Sequence, residues 1–250
     1  MPSDLVFYFI HGFPDSEKVW EEYVTELKKS FPKADYLFFS SPQGQKIESL
    51  GQLKELHMNN LKDSISHHKK IVLVAHDLGV PQAWILAKYL QTSLKALVLY
   101  NGLSVHQLKF RLSDLAQVKR SWYIGAFLIP GAVRFFMKPD VIAKQLVKIG
   151  KKDPDFRFQD YYLYRILSRA LLENPIKLKV PVFQMSSRRD PFILPLKNFE
   201  LEREAFEYEH EIFDGGHWSI QEDPRRCVKS AVDFLKSRHQ EIRGQNAESL

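Results

Sequence analysis

Residues 71–84 read IVLVAHDLGVPQAW. Ile71-Val72-Leu73-Val74 is a branched apolar run, the composition of a strand buried on both faces. VPQAWILAKYLQTS then reads as a helix with Pro81 in its first turn. Between strand and helix stands an ionisable residue, Asp77, with Ala75 and Gly79 two places to either side. Small residues at those places suit a sharp strand-to-helix turn, where the backbone leaves no room for side chains. A carboxylate there faces the start of a helix, whose free amides and macrodipole favour negative charge.

The neighbouring segments repeat the alternation. Leu5 to Ile10 is a β-rich run ended by the turn HGFPDS, and Ser16 is placed to cap a helix carrying Val19, Trp20, Tyr23, Val24 and Leu27 at helical spacing. ADYLFFSSP predicts a second strand and IESLGQLKELHMNNLKDSISHH a second helix. KKIVLVAHD is the third strand, KALVLYNG the fourth, KVPVFQMSSRRDP the fifth and YEHEIFDGGH the sixth. A last helix is expected from about Pro224 to Arg238, with QEIRGQNAESL as a frayed tail. Strands alternating with helices predict the α/β class, with a mostly parallel sheet of about six strands covered on both faces. From Leu103 to Asn174 there is no convincing strand. The expected organisation is therefore a core of residues 1–102 and 175–250 with residues 103–174 inserted as a helical lid.

Composition sets outer limits. At 250 residues with 44% hydrophobic and 26% charged, the chain has the length and balance of one globular domain with an insertion. The net charge of +6 is interleaved with acidic residues and forms no nucleic-acid motif, so it reads as a solubility term. One cysteine, Cys227, excludes an internal disulfide and fits a reducing, cytoplasmic compartment. No run reaches the roughly 18 uncharged apolar residues of a membrane span, and the N-terminal run enters a motif directly, as a strand does and a signal peptide does not. His67-His68 and His76-Asp77 are adjacent pairs that cannot converge on one ion, so no metal is expected.

Three chemistry-bearing residues follow strands: Asp77 after IVLVAH, Asp190 after VPVFQMSSRR and His217 after YEHEIFDGG. In a parallel sheet the carboxyl ends of strands are where reactive groups gather. A carboxylate can attack an electrophilic carbon and form an ester. A histidine can activate the water that cleaves it, and a second carboxylate can orient the imidazole. The order nucleophile, acid, histidine is that of the α/β-hydrolase triad. The loop HGFP (His11, Gly12, Phe13, Pro14) can aim the Phe13 amide, alongside that of Leu78, at a developing oxyanion. His76 and Gly79 complete the elbow. Taken singly, each residue also has a bland reading: a helix cap for the aspartates, a satisfied polar group for the histidine.

On these residues the chain resembles the α/β-hydrolase epoxide hydrolases and their haloalkane dehalogenase relatives over nearly its whole length. FIHGFPDSEKVW resembles their oxyanion-loop motif, VAHDLG the aspartate elbow, RRDP the acid turn and GGHWSIQEDP the histidine motif. The resemblance implies Asp77 as nucleophile, Asp190 as acid and His217 as base, with no cofactor. RSWYIGAFLIPG and YYLYRIL resemble the segments that hold two lid tyrosines in epoxide hydrolases, which implies Tyr123 and Tyr164 as donors to the epoxide oxygen. Dehalogenases instead place a Trp just after the nucleophile. Here that residue is Leu78, which leaves only Trp122 and Trp218 as indole donors to a halide. The chain also departs from the family in starting at the strand before HGFP, so the family's first two strands are missing, and in the loop PQGQKIES.

Epoxide hydrolysis is the leading expectation. A dehalogenase with the same triad and a non-catalytic binding protein of this fold are alternatives, and a carboxylester hydrolase is chemically awkward because aspartate attack on an ester gives an anhydride. WYIGAFLIPGAVRFFM, residues 122–137, implies an apolar small-molecule substrate under the insertion. A weak membrane-surface contact through that stretch, flanked by Lys119, Arg120, Arg134 and Lys138, is a second reading of it. No nucleic-acid partner is expected, and oligomeric state is not legible.

Overall fold

The computed structural model describes residues 4–40, 47–90, 92–129, 138–152, 156–172, 177–197, 200, 202–203 and 205–247. Arg134, with the second half of the apolar stretch at 130–137, and residues 42–46 of the PQGQKIES loop lie outside them. Six strands form: β1 (Leu5–Ile10), β2 (Asp35–Phe38), β3 (Lys70–His76), β4 (Leu94–Tyr100), β5 (Val182–Ser187) and β6 (Tyr208–Phe213). They make one sheet in the order β2-β1-β3-β4-β5-β6, and every neighbouring pair is parallel.

Both faces of that sheet are covered, which is why its middle strands are apolar without alternation. Val6, Tyr8, Ile10, Ile71, Leu73 and Ala75 belong to one core cluster, and Phe7, Phe9, Val72 and Val74 to a second. Successive side chains of one strand point to opposite faces, so β1 and β3 feed both clusters. The first cluster packs under α2 (Leu50–Ser66) and α3 (Gly79–Leu90), through Leu53, Leu61, Trp84 and Leu86. The second packs under α1 (Glu21–Ser30), through Tyr23 and Leu27, and under the C-terminal helix, through Val228, Val232 and Leu235. Ser16 caps the 3-10 turn Glu17–Trp20 that leads into α1, accepting from the Lys18 amide.

Between β4 and β5 the described residues are helical: α4 (Val105–Arg111), α5 (Leu115–Arg120), α6 (Trp122–Leu128), α7 (Pro139–Lys148) and α8 (Tyr162–Ser168). Ser104 and Gln107 form a capping box at the start of α4. Buried ion pairs tie this insertion down. Arg111 grips Glu200 at 2.5 and 2.6 Å, and Lys151 Nζ lies 2.7 Å from Asp15 Oδ1, with both side chains fully buried. The Arg157 amide donates to the Pro14 carbonyl at 2.8 Å. Removing one partner of such a pair strands a buried charge, at a cost of about 3–5 kcal/mol.

After β6 come α9 (Ser219–Glu222) and α10 (Pro224–Ala247). The expected end near Arg238 and frayed tail are corrected: the helix continues to Ala247. QEIRGQNA contains no proline, and its lone Gly244 costs only about 1 kcal/mol in a helix. A polar segment therefore extends a helix already nucleated by its apolar half.

Candidate active site

Asp77 leaves β3 with φ of +49°, in the left-handed region, which Asp tolerates better than branched residues. Such a conformation persists only where its surroundings over-determine it. Two glycines do so here. A Cβ on Gly79 would lie 2.2 Å from the Ile10 carbonyl oxygen, so α3 can start flush against β1 only with glycine at that place. A Cβ on Gly12 would lie 2.4 Å from Asp77 Cβ and Oδ2, so the HGFP backbone passes directly over the carboxylate.

That approach brings the Phe13 amide onto Asp77 Oδ2 at 2.9 Å, and the Leu78 amide also bonds this carboxyl. Asp77 Oδ1 lies 3.7 Å from His217 Nε2. His217 Nδ1 lies 2.8 Å from Asp190 Oδ2, while Asp190 Oδ1 accepts from the amides of Phe192 and Ile193 at 2.8 and 3.0 Å. Residues 77, 190 and 217, far apart in the chain, thus form one line of buried side chains. His11 bonds the neighbouring Gly12 carbonyl at 2.9 Å, Pro14 carries the carbonyl held by Arg157, and His76 Nε2 donates to the His217 carbonyl at 2.9 Å.

The electrostatics follow from this crowding. Burial pushes the Asp77 carboxyl above its ordinary range, against His217, His76 and the two amides that favour its anion. Burial alone would lower His217, but the Asp190 carboxylate, with Asp77 and Asp15 behind it, outweighs burial and raises the ring from 6.5 to about 9. Its proton therefore favours the folded state, with a contribution of up to about 3 kcal/mol that is complete below pH 6.5 and lost as pH rises through 9. Chemical denaturation between pH 6 and pH 10 should show stability falling across that window. A His217→Gln protein should lose this part of the slope, and an unchanged slope would refute the assignment.

Above Asp77 stand Tyr123 of α6 and Tyr164 of α8, with ring centroids 6.4 Å apart and planes at 87°. A hydrogen bond joins their hydroxyls, and burial raises both phenols well above 10, so both are protonated at neutral pH. Phe127 stacks on Tyr164 at 4.9 Å, and Phe13 and Phe192 pack edge-on to Tyr164 and Tyr123. Asp77, Trp122, Tyr123 and Tyr164 lie where two cavities meet, one of about 340 Å³ and one of about 630 Å³. Apart from Asp77 the smaller carries no charged residue. Among the described residues no group of three His, Cys, Asp or Glu side chains is arranged to hold a metal ion.

Sequence reasoning missed a second layer of buried polar groups. Asp15 accepts from Trp218 Nε1 at 3.2 Å and lies 3.3 Å from His76 Nδ1. Asn101, at φ of +41°, donates to the His217 carbonyl at 2.5 Å and to Ser219 Oγ at 3.0 Å. In the sequence Asp15 reads as part of a turn, and Lys151 in KKDPD as a solvated charge. Only the carboxyl end of β4 marks Asn101, by the same rule that marks Asp77.

The alpha/beta hydrolase family model matches residues 7–230. Epoxide hydrolase 3 of Mus musculus is 28% identical over 128 residues, which cover 49% of this chain and 34% of that protein. The match thus spans about a third of the length of that curated relative. Among solved structures, an epoxide hydrolase of Bacillus megaterium bound to an inhibitor is similar with a TM-score of 0.73 at 18% identity, over 93% of each chain. A type II thioesterase from the borrelidin biosynthetic cluster gives a TM-score of 0.66 at 15% identity, over 94% of each chain. At these identities the likeness is one of fold, and one fold carries more than one chemistry.

Proposed function

The chain belongs to the alpha/beta hydrolase family, and on that premise we propose that it is an epoxide hydrolase working through an ester on Asp77. The observation that carries this reading is a carboxylate, where a serine would serve an esterase, beneath two protonated phenols. Residues 1–102 and 175–250 act as the core and 103–174 as the lid.

In the first step Asp77 Oδ1 attacks an oxirane carbon, since Oδ2 is held by the Phe13 amide. The carbon–oxygen bond of the ring breaks, and Tyr123 or Tyr164 passes its proton to the alkoxide as it forms. In the second step His217 takes a proton from water, and the hydroxide attacks the carbonyl carbon of the ester. The amides of Phe13 and Leu78 stabilise the oxyanion. As it collapses, the departing alkoxide takes the proton of the added hydroxyl, which completes the diol and restores the Asp77 carboxylate. The proton held by His217 returns to the tyrosinate left by the first step. Asp190 holds the ring of His217 throughout. No metal or organic cofactor enters this sequence. The substrate is apolar, in keeping with the cavity that is uncharged apart from Asp77, and the lone buried cysteine suits a cytoplasmic setting.

Halide release from the same triad is weaker as a reading. The Trp218 indole is committed to Asp15, and Trp122 is 72% exposed, so neither is a shielded donor to a leaving halide.

A panel of apolar epoxides and haloalkanes, assayed for diol and for halide, tests the choice between the two. Diol from epoxides is the expected result, with Tyr123→Phe and Tyr164→Phe each lowering kcat/KM by about 10²-fold and the pair by more. Halide release without diol, or full activity in the double variant, would overturn the phenol role.

A further inference from the structure

Residues 103–174 contain thirteen Lys and Arg against six Asp and Glu, while the rest of the chain has 23 against 24. The interleaving along the sequence hides this division: the insertion carries +7 and the rest of the chain −1. The surplus is still +5 once the buried Arg111 and Lys151 are set against Glu200 and Asp15 of the core. Exposed apolar surface gathers in the same segment. Of fifteen large hydrophobic side chains exposed among the described residues, eleven lie between 110 and 172, including Leu115 at 77%, Trp122 at 72% and Leu172 at 89%. The two features also converge in space. Leu112, Val118, Trp122 and Leu128 line the smaller cavity, and Trp122 lines the larger beside Lys119 and Lys148.

We infer that this face of the insertion docks on an anionic membrane surface. Large apolar side chains enter the boundary between headgroups and acyl chains, while lysine and arginine stems carry their charges out to the phosphates. Each basic side chain close to an anionic leaflet tightens binding roughly fivefold at low salt. A second copy of this chain fits the face less well, because a two-fold contact would set one strongly positive surface against another. Docking places the mouths of both cavities against the bilayer, where apolar molecules concentrate. Among the described residues no helix is long and apolar enough to cross a membrane, so the contact is made by side chains lying in the interface.

Flotation of the full chain with phosphatidylcholine vesicles, with and without about a third of phosphatidylserine, tests the inference. Binding should be roughly tenfold or more tighter with phosphatidylserine and should weaken in about 0.5 M salt, where charge screening is nearly complete. Leu115→Glu and Leu172→Glu sit on the surface and line neither cavity, so the fold should survive, as read by thermal unfolding, while vesicle binding falls. The inference is overturned if the wild type does not float, or floats equally on both vesicles. It is equally overturned if light scattering shows a dimer that these substitutions dissociate, which assigns the face to a second copy. Vesicle binding needs no turnover, so the result stands apart from whether epoxides are hydrolysed.

Discussion

Replacing Asp77 with alanine is expected to reduce epoxide hydrolysis at least roughly 10⁴-fold, the scale on which hydrolases lose rate when a covalent nucleophile is removed. The effect is this large because the other groups act only through Asp77. His217 Nε2 faces its Oδ1, the Phe13 amide is bonded to its Oδ2, and Gly12 leaves the space that lets the loop close over it. Without a carboxylate the phenols can still polarise the epoxide, but no nucleophile is held in line with the breaking bond. The fold should survive. Alanine removes a carboxyl whose burial already disfavours its charge, and the stranded Phe13 amide costs about 1–3 kcal/mol. Diol yield and thermal unfolding measured on the same preparation separate the two effects. Diol formed at more than a few per cent of the wild-type rate by a folded Asp77→Ala protein would remove the covalent route.

The elements that made this site legible are those whose residue types are dictated by close packing or by strand ends. Ala75 and Gly79 announce the elbow because one Cβ at 79 would strike the Ile10 carbonyl. Asp77, Asp190 and His217 announce themselves because each follows the carboxyl end of a strand, and the parallel sheet brings those ends to one edge. What stayed hidden depends on tertiary partners. Lys151 and Asp15 are fully buried together, yet a lysine is buried so seldom that no local pattern announces it. The length of α10 is hidden because a polar terminal tail gives no apolar period to follow, whereas helix propagation needs far less than nucleation. The charge surplus of residues 103–174 can be counted in the sequence, but that Arg111 and Lys151 are matched by Glu200 and Asp15 depends on tertiary partners.

The second large effect concerns the ester rather than its formation. His217→Gln should leave the attack of Asp77 intact while multiple turnover falls by about 10⁴-fold, in line with losing the general base of a covalent hydrolase. Intact mass should then show the protein heavier by one whole epoxide molecule, with the added mass on the peptide containing Asp77. The charges of His217 and Asp77 depend on each other. In the free protein His217 is held near 9 by three carboxylates, among them Asp77, and is mostly protonated at neutral pH. Ester formation converts Asp77 into a neutral group and removes one of the anions that favour the imidazolium. The ring then gives up its proton more readily, and it becomes a base at the moment when water must be activated. Glutamine can still bond to Asp190 but cannot take that proton, so the ester has no route onward. In the wild type the same coupling predicts that the pH dependence of ester hydrolysis lies below that of the free imidazole, because only the free protein carries the Asp77 charge. Rapid-quench measurement of the two half-reactions across pH 6 to 9 would show it. A His217→Gln protein that accumulates no adduct yet turns over at the wild-type rate would mean that water attacks without this histidine, and the order of events set out for Asp77 would have to be abandoned.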